Sequence, residues 1–414
     1  MELNKKKYIS NHFSSNLIVI LLLLISASAT EIVNNEIFIS ILTIFLGVLF
    51  ILSKQKIDNI ILILILVWIL INNASALIFQ TMYDNITFLG FIVRFLYPYF
   101  ALKMVGEQFF HILEKWIFRF SVVTIPFFLL QLFYPQVFDY LKFMNFAIPE
   151  QSVRGGWYGI VFMHSSWAGL RNSGFMWEPG GFAFILSIGL ILRLIYDRFI
   201  FNKKHLLYVV LILTTQSTTG YITLGVFTIL FLYNQKQYKK YLMAGIPLLI
   251  VLIYFFYDLP FLYPKIQKYI QLQEKLEQYH YAGYKYYKAG RVSIFFVNLK
   301  DLLAYPLGYG INWALRTKNY YGETLLGANG FANFFIRWGV FGIYLIFYSF
   351  FSFFKNLQKQ YYYRGIAFAV LIILLVMSSN PVSRNPIIYA FIFYPFIKWG
   401  KRDKKIINTI ERLS

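Results

Sequence analysis

The sequence predicts an all-α polytopic membrane protein with about 12 transmembrane segments, and three observations predict it. Of the 414 residues, 58% are hydrophobic and only 14% are charged, whereas soluble domains carry about 25% charged residues. A chain this poor in charge cannot cover itself with a polar surface. The apolar residues also come in blocks: residues 17–29, 37–52, 60–71 and 206–213 are nearly uninterrupted. Lipid offers no partners to backbone amides, so such runs must be helices, and the alternation of a membrane barrel is absent. Third, Lys and Arg cluster between the blocks, where cytoplasmic loops collect them.

The charge pattern orders the elements. Lys5, Lys6 and Lys7 start in the cytoplasm. They precede a run ending in Ala27-Ser28-Ala29, which imitates a cleavable signal, but with so many spans to follow an uncleaved first helix is expected. Spans then fall at residues 16–30, 37–53, 59–81, 86–104 and 116–134. A long outside loop at 135–176 holds Pro135, Pro149 and Gly155-Gly156. The sixth span, 178–199, returns to Arg198, Lys203 and Lys204. Residues 206–233 are unusual: the middle reads Thr214-Thr215-Gln216-Ser217-Thr218-Thr219-Gly220, and both flanks are basic. A single span would put one basic flank outside, so a broken hairpin with both ends inside is the expected form. A ninth span at 241–259 leads to a second long outside loop, 260–328, with an amphipathic helix through Ile266, Tyr269, Ile270, Gln273 and Leu276. Spans at 329–354, 364–379 and 387–400 complete a single membrane domain, residues 1–414, with both termini cytoplasmic.

The net charge of +21 fits the cytoplasmic loops, and no basic helix or stacking platform points to nucleic acid. The second outside loop carries nine Lys and Arg against four Asp and Glu. Long loops escape the positive-inside rule, and an anionic ligand is the simplest reason for the excess. There is no cysteine, which removes disulfides and thiolate chemistry. The histidines His12, His111, His164, His205 and His280 form no ligand pair, so a protein-bound metal is not expected. No phosphate-cradling glycine loop and no nucleophile elbow occur.

Polar groups at membrane depth are costly and are functional candidates by default. In Arg171-Asn-Ser-Gly-Phe-Met-Trp-Glu178-Pro179-Gly-Gly181, a proline and glycines allow a tight helix entry and Glu178 suits the helix dipole. Arg171 there either holds a phosphate or anchors a headgroup beside a capped helix end. Arg291 opens an amphipathic helix ending Tyr305-Pro306-Leu307-Gly308-Tyr309-Gly310. Asn329, Asn333 and Arg337 recur at i, i+4 and i+8 and so line one helix face, pointing into a cavity or gluing helices together. Arg94 sits inside an apolar run, either snorkelling to an interface or facing a cavity. Trp157, Trp167 and His164 lie in the first outside loop, where aromatics could stack on sugar rings or anchor at the interface.

Taken in order, these segments resemble the O-antigen polymerase and O-antigen ligase superfamily, the Wzy-type polymerases and their lipid A–core ligase relatives. The shared pattern is Arg-x-Ser-Gly-Phe-x-x-Glu-Pro, a broken hydrophobic hairpin, an Arg-led helix ending Pro-Leu-Gly-Tyr-Gly, and an Asn-rich entry to a Gly-x-x-Gly helix, over residues 171–347. The resemblance implies a GT-C-like, inverting, metal-independent and cofactor-free glycosyltransferase of the bacterial inner membrane. Its substrates would be undecaprenyl pyrophosphate-linked glycans, and a chain-length regulator and a flippase its partners beside the membrane lipids. Ligases carry His-Asn before the Gly-x-x-Gly helix. Here Asn329 keeps the Asn, but Ala328 stands at the His position, which favours polymerase over ligase. On this resemblance Arg171 and Arg291 would stabilise the departing pyrophosphate, and Glu178 would take the proton of the attacking hydroxyl. Arg94, Asn329, Asn333, Arg337, Trp157, Trp167 and His164 would contact substrate. A ligase-like transferase and a lipid-linked oligosaccharide flippase are the competing readings. The absence of an internal repeat speaks against the flippase.

Overall fold

The computed structural model of the protein describes residues 2–27, 30, 35–80, 85–141, 145–146, 156–164, 169–236, 277–281, 284–288, 291–311, 324–326, 329–378 and 385–397. Among these residues the chain is mostly helical. In chain order the helices of eight or more residues among those described are α1 (Glu2–Ala27), α2 (Glu36–Leu52), α3 (Asn59–Ile78), α4 (Asn85–Val105), α5 (Phe109–Phe133), α6 (Pro179–Tyr196), α7 (Lys203–Thr214), α8 (Thr218–Tyr233), α9 (Arg291–Ala304), α10 (Gly330–Tyr361), α11 (Ile366–Ser378) and α12 (Pro386–Phe393). Four helical stretches among the described residues are long and apolar enough to cross a membrane: Asn59–Ile78, Phe88–Phe133, Pro179–Tyr196 and Gly330–Tyr361. Shorter apolar helices accompany them, including Glu36–Leu52, Thr218–Tyr233 and Ile366–Ser378. The expected span at 241–259 and the amphipathic helix near 266–276 lie outside the described residues.

The chain divides into two compact units. The first comprises Met1–Ile65, Leu89–Leu192 and Arg384–Ser414; the second comprises Leu66–Phe88 and Arg193–Ser383.

In the first unit, α2 starts on the side chain of Asn35, whose Oδ1 accepts from the amides of Ile37 and Phe38, while Glu36 suits the positive helix end. The partner of α2 is α4. Arg94 Nε reaches Glu36 at 2.9 Å, Thr43 Oγ1 reaches the Val93 carbonyl, and Phe50 packs on Tyr99 and Phe100. Near the far end of the pair, Lys103 binds Asp58 at 3.0 Å. The Tyr99 hydroxyl joins this cluster, accepting from the Asp58 amide and donating to its carboxylate. Asn385 caps α12 through the Ile387 amide and donates its Nδ2 to the Ser26 carbonyl of α1. Aromatic rings close the core, with Phe95 edge-on to Tyr389 and Phe393 and Phe110 against Phe391. Such edge-on contacts add roughly 0.5–1.5 kcal/mol per pair beyond area burial.

In the second unit, α7 and α8 are separated by Thr215–Ser217, with Ser217 capping α8 through the Gly220 amide. The Thr215 hydroxyl accepts from the Ser217 amide and donates to the Ile212 carbonyl. Hydroxyl side chains therefore take up backbone groups that the break leaves without helical partners. Helix α11 packs against α8 and α10, and α9 packs against α10.

The central feature of this unit is a break inside α10. Gly339 has φ 63 and ψ −155, which interrupts the helix. The segment after α9 is spliced into the gap. The Tyr309 amide donates to the Ile336 carbonyl and the Val340 amide to the Pro306 carbonyl, both at 2.9 Å. Two glycines permit the approach. A Cβ on Gly308 (φ +89) would lie 2.4 Å from the Gly339 nitrogen, and one on Gly339 would meet the Pro306 oxygen. Helix α3 clamps the spliced segment from Leu66 onward: Ser75 Oγ donates to the Tyr309 carbonyl, and Asn72 Oδ1 accepts from the Ile311 amide. Trp68 lies against Trp338, and Phe79 stacks on Tyr309 at 5.0 Å.

The expectation of a purely helical chain needs one amendment. Trp157–Tyr158 pairs with Met163–His164, and Glu277–Tyr281, Tyr284–Lys288 and Thr324–Leu326 form a three-stranded sheet. These strands belong to segments outside the apolar blocks. Tyr favours extended backbone, and the first two strands of the sheet pair antiparallel with Tyr281 opposite Tyr284.

The splice predicts a sharp contrast between glycines. Gly308→Ala meets both a left-handed φ and backbone atoms, and should cost about 2–4 kcal/mol. Gly47→Ala in α2, where a Cβ meets only the Phe100 ring at 3.4 Å, should leave the melting temperature within a few degrees of wild type. Thermal unfolding of both variants in nanodiscs checks this.

Candidate functional site

The candidate residues fall into two groups, one in each unit. In the first unit, the segment entering α6 is fixed by its own backbone. Asn172 Oδ1 accepts from the Gly174 amide, a local turn that Asn favours. Gly174 has φ +52, and a Cβ there would sit 2.5 Å from the Phe182 ring. The Met176 amide then donates to the Ser173 carbonyl, and the Phe182 amide to the Glu178 carbonyl. Glu178 thus occupies the N-cap of α6 with Pro179 at the first helical position, where its missing N–H costs nothing.

Residues 172–176 are buried, while Arg171 and Glu178 are partly exposed. The buried interior is thus flanked by two partly exposed charged residues. Gln131, near the end of α5 and 1% exposed, fastens the segment from behind: its Nε2 donates to the carbonyls of Gly169 at 2.8 Å and Arg171 at 3.2 Å. The Met163 amide donates to the Gly174 carbonyl, so the small hairpin bearing Trp157 and His164 is attached to the same segment.

Trp157 is 6% exposed and packs with Phe128, Phe138 and Phe162, and its indole N–H donates to the Leu141 carbonyl. It is a core residue of this loop assembly, and its ring face is occupied by Phe127 and Phe138. His164 stacks on Phe138 at 4.7 Å. Burial pushes its pKa down, opposed by the negative charge of Asp139. Trp167 lies outside the described residues. Arg94, also in the first unit, is 7% exposed and paired with Glu36. Four residues on, Pro98 lacks the N–H that would bond the Arg94 carbonyl.

In the second unit, Asn329 caps α10 by accepting from the Ala332 amide. Asn333 and Arg337 follow on the same face, and all three are at most 4% exposed. Facing them, Asn298 of α9 donates to Asn333 Oδ1 at 3.2 Å. One turn further along α9 lies Asp301, 5% exposed. The seam between α9 and α10 therefore buries three amides, a carboxylate and a guanidinium among Leu302, Phe335 and Ile336. Arg337 stands two residues before the break at Gly339, in the last turn of the first half of α10, where a cation suits the carbonyl end of the helix dipole. Arg291 begins α9; its side chain lies outside the described set.

Sequence reasoning named Arg171, Glu178, Asn329, Asn333 and Arg337 but passed over Gln131, Asn72, Asn298 and Asp301. The rule that singled out Arg94, a polar group inside an apolar run, also applies to Asn72 and Gln131. Asn298 and Asp301 show the i, i+3 spacing of one helix face.

The lowered pKa of His164 has a consequence for stability. The unfolded chain takes up the proton near the ordinary value of 6.5, while the folded protein resists it. As pH falls below 6.5 the unfolded state binds more protons, so the folded state loses stability until its own lower pKa is passed. His164→Phe keeps the ring stack on Phe138 and removes the titration. Its melting temperature should fall less than that of the wild type between pH 7 and pH 5, as read by thermal unfolding at matched ionic strength. Comparison with known protein families, with curated proteins and with solved structures finds no match to this chain.

Proposed function

We propose that the protein is a lipid-dependent glycosyltransferase that polymerises undecaprenyl pyrophosphate-linked repeat units into O-antigen or a related surface polysaccharide. It acts at the outer face of the bacterial inner membrane, with about 12 spans and both termini cytoplasmic. The observation that carries the reading is the entry to α6. There Arg171 and Glu178 stand at the two ends of a segment held by Gln131, the Asn172 turn and the Met163 amide.

In the proposed reaction a sugar hydroxyl of one lipid-linked unit attacks the anomeric carbon of the growing chain. The new glycosidic bond forms as the bond from that carbon to the pyrophosphate oxygen breaks, and the electron pair leaves with undecaprenyl pyrophosphate. Glu178 accepts the hydroxyl proton. Arg171 and Arg291 offset the charge that builds on the pyrophosphate. Asn329, Asn333 and Arg337 contribute to substrate binding, as does Arg94. The preference for polymerase over ligase rests on Ala328, which stands where a ligase carries its His. A flippase and a chain-length regulator are the partners of this reading.

The test supplies the purified protein in nanodiscs with a lipid-pyrophosphate-linked repeat unit and no nucleotide sugar. Wild type should give a ladder of products. Arg171→Ala, Arg291→Ala and Glu178→Gln should each slow it about 100-fold or more, with melting temperatures unchanged. Transfer of a finished polymer to a different acceptor without a ladder would favour the ligase reading. Movement of the intact lipid-linked unit across the bilayer without bond formation would favour a flippase.

A further inference from the structure

Three connections of the second unit, distant in sequence, are tied to one another by hydrogen bonds. Gln235 Nε2, after α8, donates to the Phe199 carbonyl in the link between α6 and α7. Asn234 donates to the Arg364 carbonyl and accepts from the Arg364 amide in the link between α10 and α11. Gln358 Nε2 donates to the Tyr363 carbonyl, and Phe199 lies against Tyr363. These contacts bring Arg198, Lys203, Lys204, Lys236, Lys355, Lys359 and Arg364 to one end of the unit, all of them exposed. The acid among the described residues of these links is Asp197, which is partly buried and taken up by Arg193 at 2.8 Å and by Asn202. The face is therefore strongly cationic, and its carboxylate is already neutralised from within.

The same face exposes apolar groups at its tips. Ile200 is 70% exposed, Phe201 51% and Tyr362 84%. These tips are built rather than loose. Arg198 and Phe199 adopt left-handed φ values of 51 and 59, and Tyr362 one of 56, a conformation that non-glycine residues adopt only at a cost. Backbone bonds fix it: the Phe199 amide to the Leu194 carbonyl, the Ile200 amide to the Asp197 carbonyl and the Tyr362 amide to the Gln358 carbonyl. Rigid apolar tips ringed by Lys and Arg combine the two attractions of an interfacial anchor, apolar insertion and charge.

We propose that this face is a binding surface for acidic phospholipid headgroups. The cations engage the phosphates, and Ile200, Phe201 and Tyr362 enter the boundary between headgroups and acyl chains. This inference rests on the membrane-embedded character of the chain and is independent of the transferase reading.

The test uses the full-length protein in detergent, with phosphatidylglycerol or phosphatidylcholine added and retained lipids counted by native mass spectrometry. Wild type should retain phosphatidylglycerol preferentially. Each cation removed near such a surface is expected to weaken binding about fivefold. Lys203→Gln/Lys204→Gln/Arg364→Gln should therefore abolish most of the preference, and Ile200→Ser/Phe201→Ser should lower retention of both lipids. Because a triple variant could fold poorly, the single variant Lys204→Gln is measured beside it and should show the smaller, fivefold loss. Equal retention of the two lipids by wild type would overturn the proposal. So would an equal loss of preference from Lys54→Gln/Lys56→Gln, two exposed cations of the first unit, since the effect would then be general charge.

Discussion

The second unit depends on a backbone exchange between Pro306–Tyr309 and the interrupted helix α10. A helix broken inside an apolar environment frees amides and carbonyls that lipid cannot satisfy, each at a cost of several kcal/mol. Here the freed Ile336 carbonyl and Val340 amide find the Tyr309 amide and the Pro306 carbonyl, so the break is stable only while the spliced segment is in place. The exchange dictates the rest. It requires glycine at 308 and 339, it aligns α9 beside α10 so that Asn298 meets Asn333, and it leaves Arg337 at the end of a half-helix. The clamp from Asn72 and Ser75 adds side-chain bonds from α3 to the same segment. A short loop thus organises α3, α9 and α10 at once.

The first unit solves a different problem, the holding of charge. Arg171 and Glu178 stand at the ends of a segment whose interior is buried and is held by backbone bonds, the Asn172 turn and Gln131. Arg94 and Lys103 pair with Glu36 and Asp58, which ties α4 to α2 and to the link after it. In both units, polar side chains inside apolar helices serve as structural fastenings as well as candidates for chemistry. Gln131 and Asn72 are of the first kind in everything the structure shows. In the stripe of α10, Asn329 caps the helix while Asn333 accepts from Asn298 of α9.

Much of the helical frame was readable from hydropathy and charge. The apolar block at 37–52 became α2, the Pro-Gly-Gly entry became the start of α6, and the hydroxyl-rich run became the break between α7 and α8. These features are local, and local propensity suffices for them. The splice was not readable. Pro306-Leu-Gly-Tyr-Gly looks like an ordinary helix stop, and Gly339 and Gly342 look like a small-residue helix face; only a contact between segments thirty residues apart reveals that one completes the other. The burial of Trp157 escaped for a similar reason, because an outside-loop tryptophan and a loop-core tryptophan have the same local sequence. The strands of the Tyr-rich segment were overshadowed by the strength of the helical signal elsewhere.

The central claim is that the break in α10 is held closed by the Pro306–Tyr309 segment. Hydrogen–deuterium exchange of the protein in nanodiscs, resolved to peptides covering 305–311 and 335–342, tests it most directly. The account predicts that the Tyr309 and Val340 amides are both strongly protected. It also predicts that they lose protection together in Ser75→Ala/Asn72→Ala, where the clamp is removed. Fast exchange at Val340 in the wild type, or protection of one amide without the other, would contradict it.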